Sequence, residues 1–223
     1  MSKDKPVGIT DLETIINSIV SYLEEKYQLR ELALSLSREI VRLSGQAIRL
    51  IHRLDFDNAT KKIKEARIKV EDINEKLKEH PEFSEKGFIS SAFQEYVEAS
   101  LLFSILKDNK FISYEKLDVP CVPYILGLGD LVGELRRHAL DSIRRGEIEK
   151  AENLVDLMEE VYVNLMAIDY PDALTSGLRH KRDVARSLVE RTRGDITLAL
   201  QNQQLIKKVQ SLSELLGGKK DEI

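Results

Sequence analysis

The sequence predicts an all-α protein, a single-domain bundle of about six or seven helices. Glycine and proline are scarce, at 11 and 5 of 223 residues, and tryptophan is absent. Turn-dense β architectures use more of all three. Apolar residues recur at steps of three or four over long uninterrupted stretches, and no alternating strand pattern appears. Neither a repeat with a period of about 20 to 50 residues nor a change of composition divides the chain. One domain is therefore expected over 1–216, with the Gly-Gly-Lys-Lys-Asp-Glu-Ile tail, 217–223, disordered.

The elements follow in order. Thr10 and Glu13 have the spacing of a capping box, and only Gly45 interrupts the chain before the Asp55-Phe56-Asp57-Asn58 turn, so one long helix is expected. Leu36, Ile40, Leu43, Ala47, Leu50 and Leu54 form its apolar stripe, and Arg38, Arg42, Arg49 and Arg53 line the opposite face. Asp57 is the expected cap of a second helix that runs to His80, with Ile63, Ala66, Val70, Ile73 and Leu77 inward. After a break at 81–87, a third helix over 90–106 is apolar nearly all round, as expected of the centre of a bundle. A loop-rich stretch leads to Pro123, which suits the first turn of a fourth helix that ends at Gly146. A fifth helix follows over 147–168, and a long last one over 176–216.

Charge and motifs exclude several function classes. Lys and Arg number 34 against 38 Asp and Glu, a net charge of −4, so any nucleic-acid site is a local patch and not a property of the whole chain. A single cysteine, Cys121, rules out an internal disulfide framework and a cysteine-only zinc site. The first ten residues are polar and no apolar run approaches the ~18 residues that span a bilayer, so a cytoplasmic protein without membrane contact is expected. No Gly-x-Ser-x-Gly, phosphate-binding loop or dinucleotide fingerprint is present, and His52, His80, His138 and His180 are scattered along the sequence.

The third and fourth helices carry the unusual chemistry. In Phe93-Gln94-Glu95-Tyr96-Val97-Glu98-Ala99, Glu95 and Glu98 share one face of an apolar helix. Asp130 and Glu134 are four apart on the fourth helix, beside Gly127, Gly129 and Gly133. Each glycine costs about 1 kcal/mol of helix stability relative to alanine, which points to close approach by a backbone, ligand or metal. If the helices pack antiparallel, four carboxylates converge. A buried carboxylate is protonated, paired with a base or bound to a cation. Two readings are open: the acids pair with arginines such as Arg136, Arg137 and Arg144, or they form an all-oxygen site for Mg²⁺ or Mn²⁺, suited to phosphodiester hydrolysis.

These two segments, Gln94-Glu95-Tyr96-Val97-Glu98-Ala99 and Pro123-Tyr124-Ile125-Leu126-Gly127 through Gly133-Glu134-Leu135-Arg136-Arg137, resemble the translin family, and within it the Trax (translin-associated factor X) branch. The likeness continues through Asp141-Ser142-Ile143 and Gly146-Glu147-Ile148 to Leu178-Arg179-His180-Lys181-Arg182-Asp183-Val184, whereas the first helix agrees only in architecture. The resemblance implies an all-α fold of about seven helices, closed hollow oligomers, binding of single-stranded RNA or DNA, and in Trax-type subunits Mg²⁺-dependent RNA cleavage. It matches Glu95, Glu98, Asp130 and Glu134 to the family's acids, which makes them the catalytic and metal-ligating candidates. Translin-type subunits lack the full set, so a non-catalytic single-strand-binding scaffold is the alternative. Arg136, His138 and the Arg144-Arg145 pair depart from the family pattern. Without a second family subunit as partner, the chain is expected to form a homo-oligomer.

A nuclease also needs cations for phosphate and aromatic rings for bases. The phosphate candidates are Arg136, Arg137, Arg144 and Arg145, with the first-helix stripe of Arg38, Arg42, Arg49 and Arg53. A further basic run in the last helix serves RNA or assembly equally well. Tyr96 and Tyr124 are the base-stacking candidates. The expected activity is a Mg²⁺- or Mn²⁺-dependent endoribonuclease acting on single-stranded RNA.

Overall fold

Long apolar periodicity with few helix breakers leaves the chain one way to bury its surface, by packing helix on helix. In the computed structural model, which describes residues 9–84 and 87–217, the elements are α1 (Ile9–His52), α2 (Phe56–Lys76), α3 (Pro81–Ser84), α4 (Gly87–Asp108), α5 (Tyr114–Leu117), α6 (Cys121–Arg144), α7 (Ile148–Met166), α8 (Asp172–Thr175) and α9 (Leu178–Gly217). Six are long, and α3, α5 and α8 are single turns within the connections. No strand occurs among the described residues. Apart from Gly217, the expected tail lies outside them.

The expected stripe on α1 is buried at Leu36, Ile40, Leu43 and Ala47, and it continues through Ile48 and Ile51. It does not include Leu54, which is 56% exposed and turns with φ 61°. That turn places Asp55, not Asp57, at the cap of α2, where its carboxylate accepts the Asn58 backbone N–H at 3.2 Å. α2 then returns antiparallel to α1, with Lys69 paired to Glu39 at 3.4 Å.

α4 is the central helix. It packs on α1, α2 and α6, and its buried residues include Phe93, Tyr96, Val97, Glu98, Leu101 and Leu102. Each fully buried apolar side chain of this size contributes about 1.5–3 kcal/mol of transfer free energy. α6 runs antiparallel to α4, since Gln94 meets Asp130 while Val97 meets Gly127. α9 runs parallel to α6, because Lys181, Leu188 and Thr192 meet Gly129, Gly133 and Arg136 in order.

The α6 glycines set these spacings. A Cβ on Gly127 would stand 2.7 Å from Val97 Cγ1 and 2.9 Å from the Gln94 carbonyl oxygen, and one on Gly129 would stand 2.7 Å from Lys181 Cβ. The close neighbours that the sequence implied are therefore α4 and α9. Gly127→Ala is expected to destabilise the fold by about 1–3 kcal/mol through overpacking against the α4 backbone. Urea unfolding measures it, and Val97→Ala in the same chain should recover only part, because the carbonyl contact remains.

Candidate active site

Four elements meet around the acids of α4 and α6. Glu95 is half-buried and Glu98 is 9% exposed, both on α4. Neither carboxylate accepts a hydrogen bond from a described residue; what acts on them is burial and neighbouring charge. Burial, and then repulsion from Asp130, Glu95 and Glu134, pushes the Glu98 carboxyl up to about 8, with Lys181 opposing. The same forces raise Glu95, burial first and Asp130 second.

The two acids of α6 are held by ties. Asp130 Oδ1 pairs with the Lys181 ammonium of α9, and its Oδ2 accepts the Gln94 side-chain amide of α4. Glu134 Oε2 pairs with His52 Nε2 at the end of α1. That bond holds the Glu134 carboxyl below its ordinary range against the opposing effect of burial, with Arg137 adding charge. The His138 ring stacks on His52, centroids 4.6 Å apart and planes at 20°. Burial, and then the neighbouring His52, pushes His138 down to about 4, so it is neutral near pH 7.

The two histidines that looked scattered thus meet beside Glu134. His52, His138, Gln94 and Lys181 complete the surroundings of the acids. Only Gln94, next to Glu95 in the quoted motif, carried a sequence signal for this place. The alternative reading, in which these acids pair with arginines, gives way to pairing with lysine, glutamine and histidine.

The basic candidates separate. Arg137 is exposed and its charge acts on Glu134. Arg136 is turned away onto α9, donating to Thr192 Oγ1 at 2.6 Å and pairing with Asp195 at 3.0 Å. Arg144 and Arg145 pair with Asp141 and Glu147, both at 3.2 Å. They stand about 15 Å along α6 from Glu134, so they are not beside the acids. Arg38, Arg42 and Arg49 are exposed on α1 and Arg53 is exposed in the turn just after it, next to His52.

Tyr96 is not available for stacking. It is 1% exposed and lies on the far side of α4, in a cleft with Ile63, Arg67, Ser100, Phe103 and Leu117. A step of three keeps Glu95 and Glu98 together, while Tyr96 sits about 200° from Glu98 around the helix. Tyr124 is half-buried. Its hydroxyl donates to the Ile112 carbonyl at 2.9 Å and its ring meets Tyr114 edge-on.

An all-oxygen donor set, with one carboxyl buried and raised by its neighbours, fits a hard cation better than a soft one. As they stand, no three acids, histidines or cysteines among the described residues are close enough to share an ion. Asp130 and Glu134 are instead engaged by their lysine, amide and histidine partners.

The architecture and site together define the class: an all-α bundle whose central helix brings two acids against a glycine-notched neighbour. The chain belongs to the Translin family, whose profile matches residues 28–198; the likeness therefore reaches into α1, beyond the segments that showed it in the sequence. An uncharacterised protein of Methanocaldococcus jannaschii is 39% identical over 200 residues, covering 87% of this chain and 88% of that protein. A Translin-associated protein X homolog of Schizosaccharomyces pombe is 23% identical over 192 residues, covering 79% and 83%. Among solved structures, AfC3PO in complex with duplex RNA superposes with a TM-score of 0.75 at 34% identity, covering 85% of this chain and 98% of that one.

The raised Glu98 carboxyl sets a pH dependence. Between its ordinary value of 4.5 and about 8, the folded state holds a proton that the unfolded chain releases, so stability falls as pH rises through this range. His138 acts in the opposite sense, but only below its ordinary 6.5. From pH 6.5 to 8.5 the thermal midpoint of the metal-free protein is thus expected to fall, and Glu98→Gln should flatten the decline. Melting curves followed by circular dichroism test this; an equal decline in both proteins would remove Glu98 as its source.

Proposed function

We propose that this chain is a Mg²⁺- or Mn²⁺-dependent endoribonuclease acting on single-stranded RNA. The observation that carries the reading is the convergence of Glu95, Glu98, Asp130 and Glu134 between α4 and α6, with Glu98 buried and lacking a partner. These four side chains would hold the ion, and when bound it would supply a nucleophilic hydroxide and neutralise charge at phosphorus. One of the carboxylates would orient the water and accept its proton as the oxygen attacks, and the departing ribose oxygen would take a proton from solvent. His52 fixes the rotamer of Glu134. Arg137 is exposed and its charge acts on Glu134, which suits it to meet a substrate phosphate beside the acids.

Assembly supports the same reading. The amino-terminal half of α1 exposes Leu12, Ile15, Ile16, Ile19, Val20 and Leu23, an apolar face too large for a solitary chain in water. A homo-oligomer, hollow and closed like the assemblies implied by the family resemblance, would cover it, and a second family subunit would fit the same face. No helix among the described residues is long and apolar enough to cross a membrane, and a cytoplasmic site of action is the accompanying proposal.

A second reading concerns the substrate strand: AfC3PO was solved with duplex RNA, which favours duplex binding here as well. End-labelled single-stranded and duplex RNA, incubated with Mg²⁺, Mn²⁺ or EDTA, separate these cases. Cleavage is expected in metal alone and is expected to fall by about 10²-fold or more in Asp130→Ala and Glu98→Ala. Salt-sensitive binding without cleavage by the wild type would make the protein a nucleic-acid scaffold. Mn²⁺ should also raise the thermal midpoint more at pH 8 than at pH 6, because Glu98 must release its proton to take the ion.

A further inference from the structure

Within the basic run Arg179-His180-Lys181-Arg182, one side chain enters the carboxylate cluster. Arg182 reaches the Ile168 carbonyl at 3.3 Å, and Arg179 and His180 are exposed. Lys181 alone turns inward, and α6 is shaped for it. Gly129 has no side chain where a Cβ would stand 2.7 Å from Lys181 Cβ and 3.2 Å from its Cγ. The lysine stem lies in that notch and its ammonium reaches Asp130 Oδ1. The charge also acts on Glu95 and Glu98, opposing the repulsion among the acids.

The pair is neither sealed nor loose: the Lys181 and Asp130 side chains are 24% and 26% exposed. A pair open to water on one side exchanges partners at modest cost, whereas a fully buried one does not. The two Asp130 oxygens are held separately, Oδ2 by the neutral Gln94 amide and Oδ1 by the lysine. Withdrawal of Lys181 therefore frees one oxygen while the amide keeps the carboxylate in place. A lysine ammonium is a compact charge on a flexible stem, able to move from one oxyanion to another without the fixed fork of an arginine.

We infer that Lys181 is an exchangeable counter-ion built into this site: its ammonium neutralises Asp130 in the ion-free protein, and passes to a phosphate oxygen of bound RNA when the freed Asp130 Oδ1 takes a divalent cation. The inference rests on the carboxylate site proposed above. It gives the α9 lysine two successive anions, the first within the protein and the second on the substrate.

The test separates charge from structure by measuring Mn²⁺ affinity of the RNA-free protein, through the paramagnetic resonance signal of free Mn²⁺, in wild type, Lys181→Met, Lys181→Gln and Asp130→Ala. Lys181→Met keeps an apolar stem against Gly129, and Lys181→Gln keeps a donor for Asp130 without the charge. Both are expected to bind Mn²⁺ about fivefold more tightly than wild type, since no ammonium competes. At saturating Mn²⁺ both should cut RNA about tenfold more slowly or worse, for want of the phosphate contact. A purely structural lysine would not raise metal affinity while lowering the rate. Unchanged or weaker Mn²⁺ binding in the two folded lysine variants, with binding lost in Asp130→Ala, overturns the exchange and leaves the carboxylate site standing. Tighter binding with a wild-type cleavage rate overturns the transfer to RNA. Mn²⁺ binding indifferent to Asp130→Ala overturns the site itself, and the exchange with it.

Discussion

Repulsion among like charges in a poorly hydrated space governs the centre of this molecule. Asp130 and Glu134 act on Glu95 and Glu98 across the α4 and α6 contact, and burial makes the charges of Glu95, Glu98 and Glu134 harder to sustain. The protein answers in three ways: Glu98 favours its protonated form, Asp130 takes an ammonium and an amide, and Glu134 takes a histidine. Those answers recruit α1 and α9 to a site whose acids come from α4 and α6. The long helices at both ends of the chain are thus tied to its middle by electrostatics as well as by packing. The repulsion that these partners leave uncompensated at Glu95 and Glu98 is what favours a cation at this cluster.

The order and type of the long helices are legible in the sequence because few residues interrupt them and their apolar period is regular. Their ends are less so. Leu54 fits the α1 stripe by spacing, but the chain leaves the helix before it, and the cap moves from Asp57 to Asp55 as a result. Spacing cannot register such a turn, because a left-handed residue inside an apolar pattern carries no compositional mark when it is not glycine. The one-turn helices α3, α5 and α8 are invisible to periodicity for a simpler reason: each is four residues long.

The site divides along the same line. Pairs three or four apart on one helix are readable, so Glu95 with Glu98 and Asp130 with Glu134 could be placed on common faces from spacing alone. Partners distant in sequence could not. His52 lies 82 residues from Glu134, and Lys181 lies 51 from Asp130. Neither carries a local mark that sets it apart from other surface cations. The glycines were a better guide than the charges, since their cost implies a neighbour, although only the fold shows that the neighbours are Val97 of α4 and Lys181 of α9.

Tyr96 shows how a compact motif combines two tasks. It stands between the glutamates in sequence, yet its ring is sunk into the α2 side of α4. There it works as a key in a slot that fixes the rotation of the central helix, and the carboxylates on the other face inherit their aim from it. Copying Gln-Glu-Tyr-Val-Glu onto the helix of another bundle would carry over the acids but not their bearing. The recipient would also need the slot, so the motif alone is only the label of a site that α1, α2, α4, α6 and α9 build together.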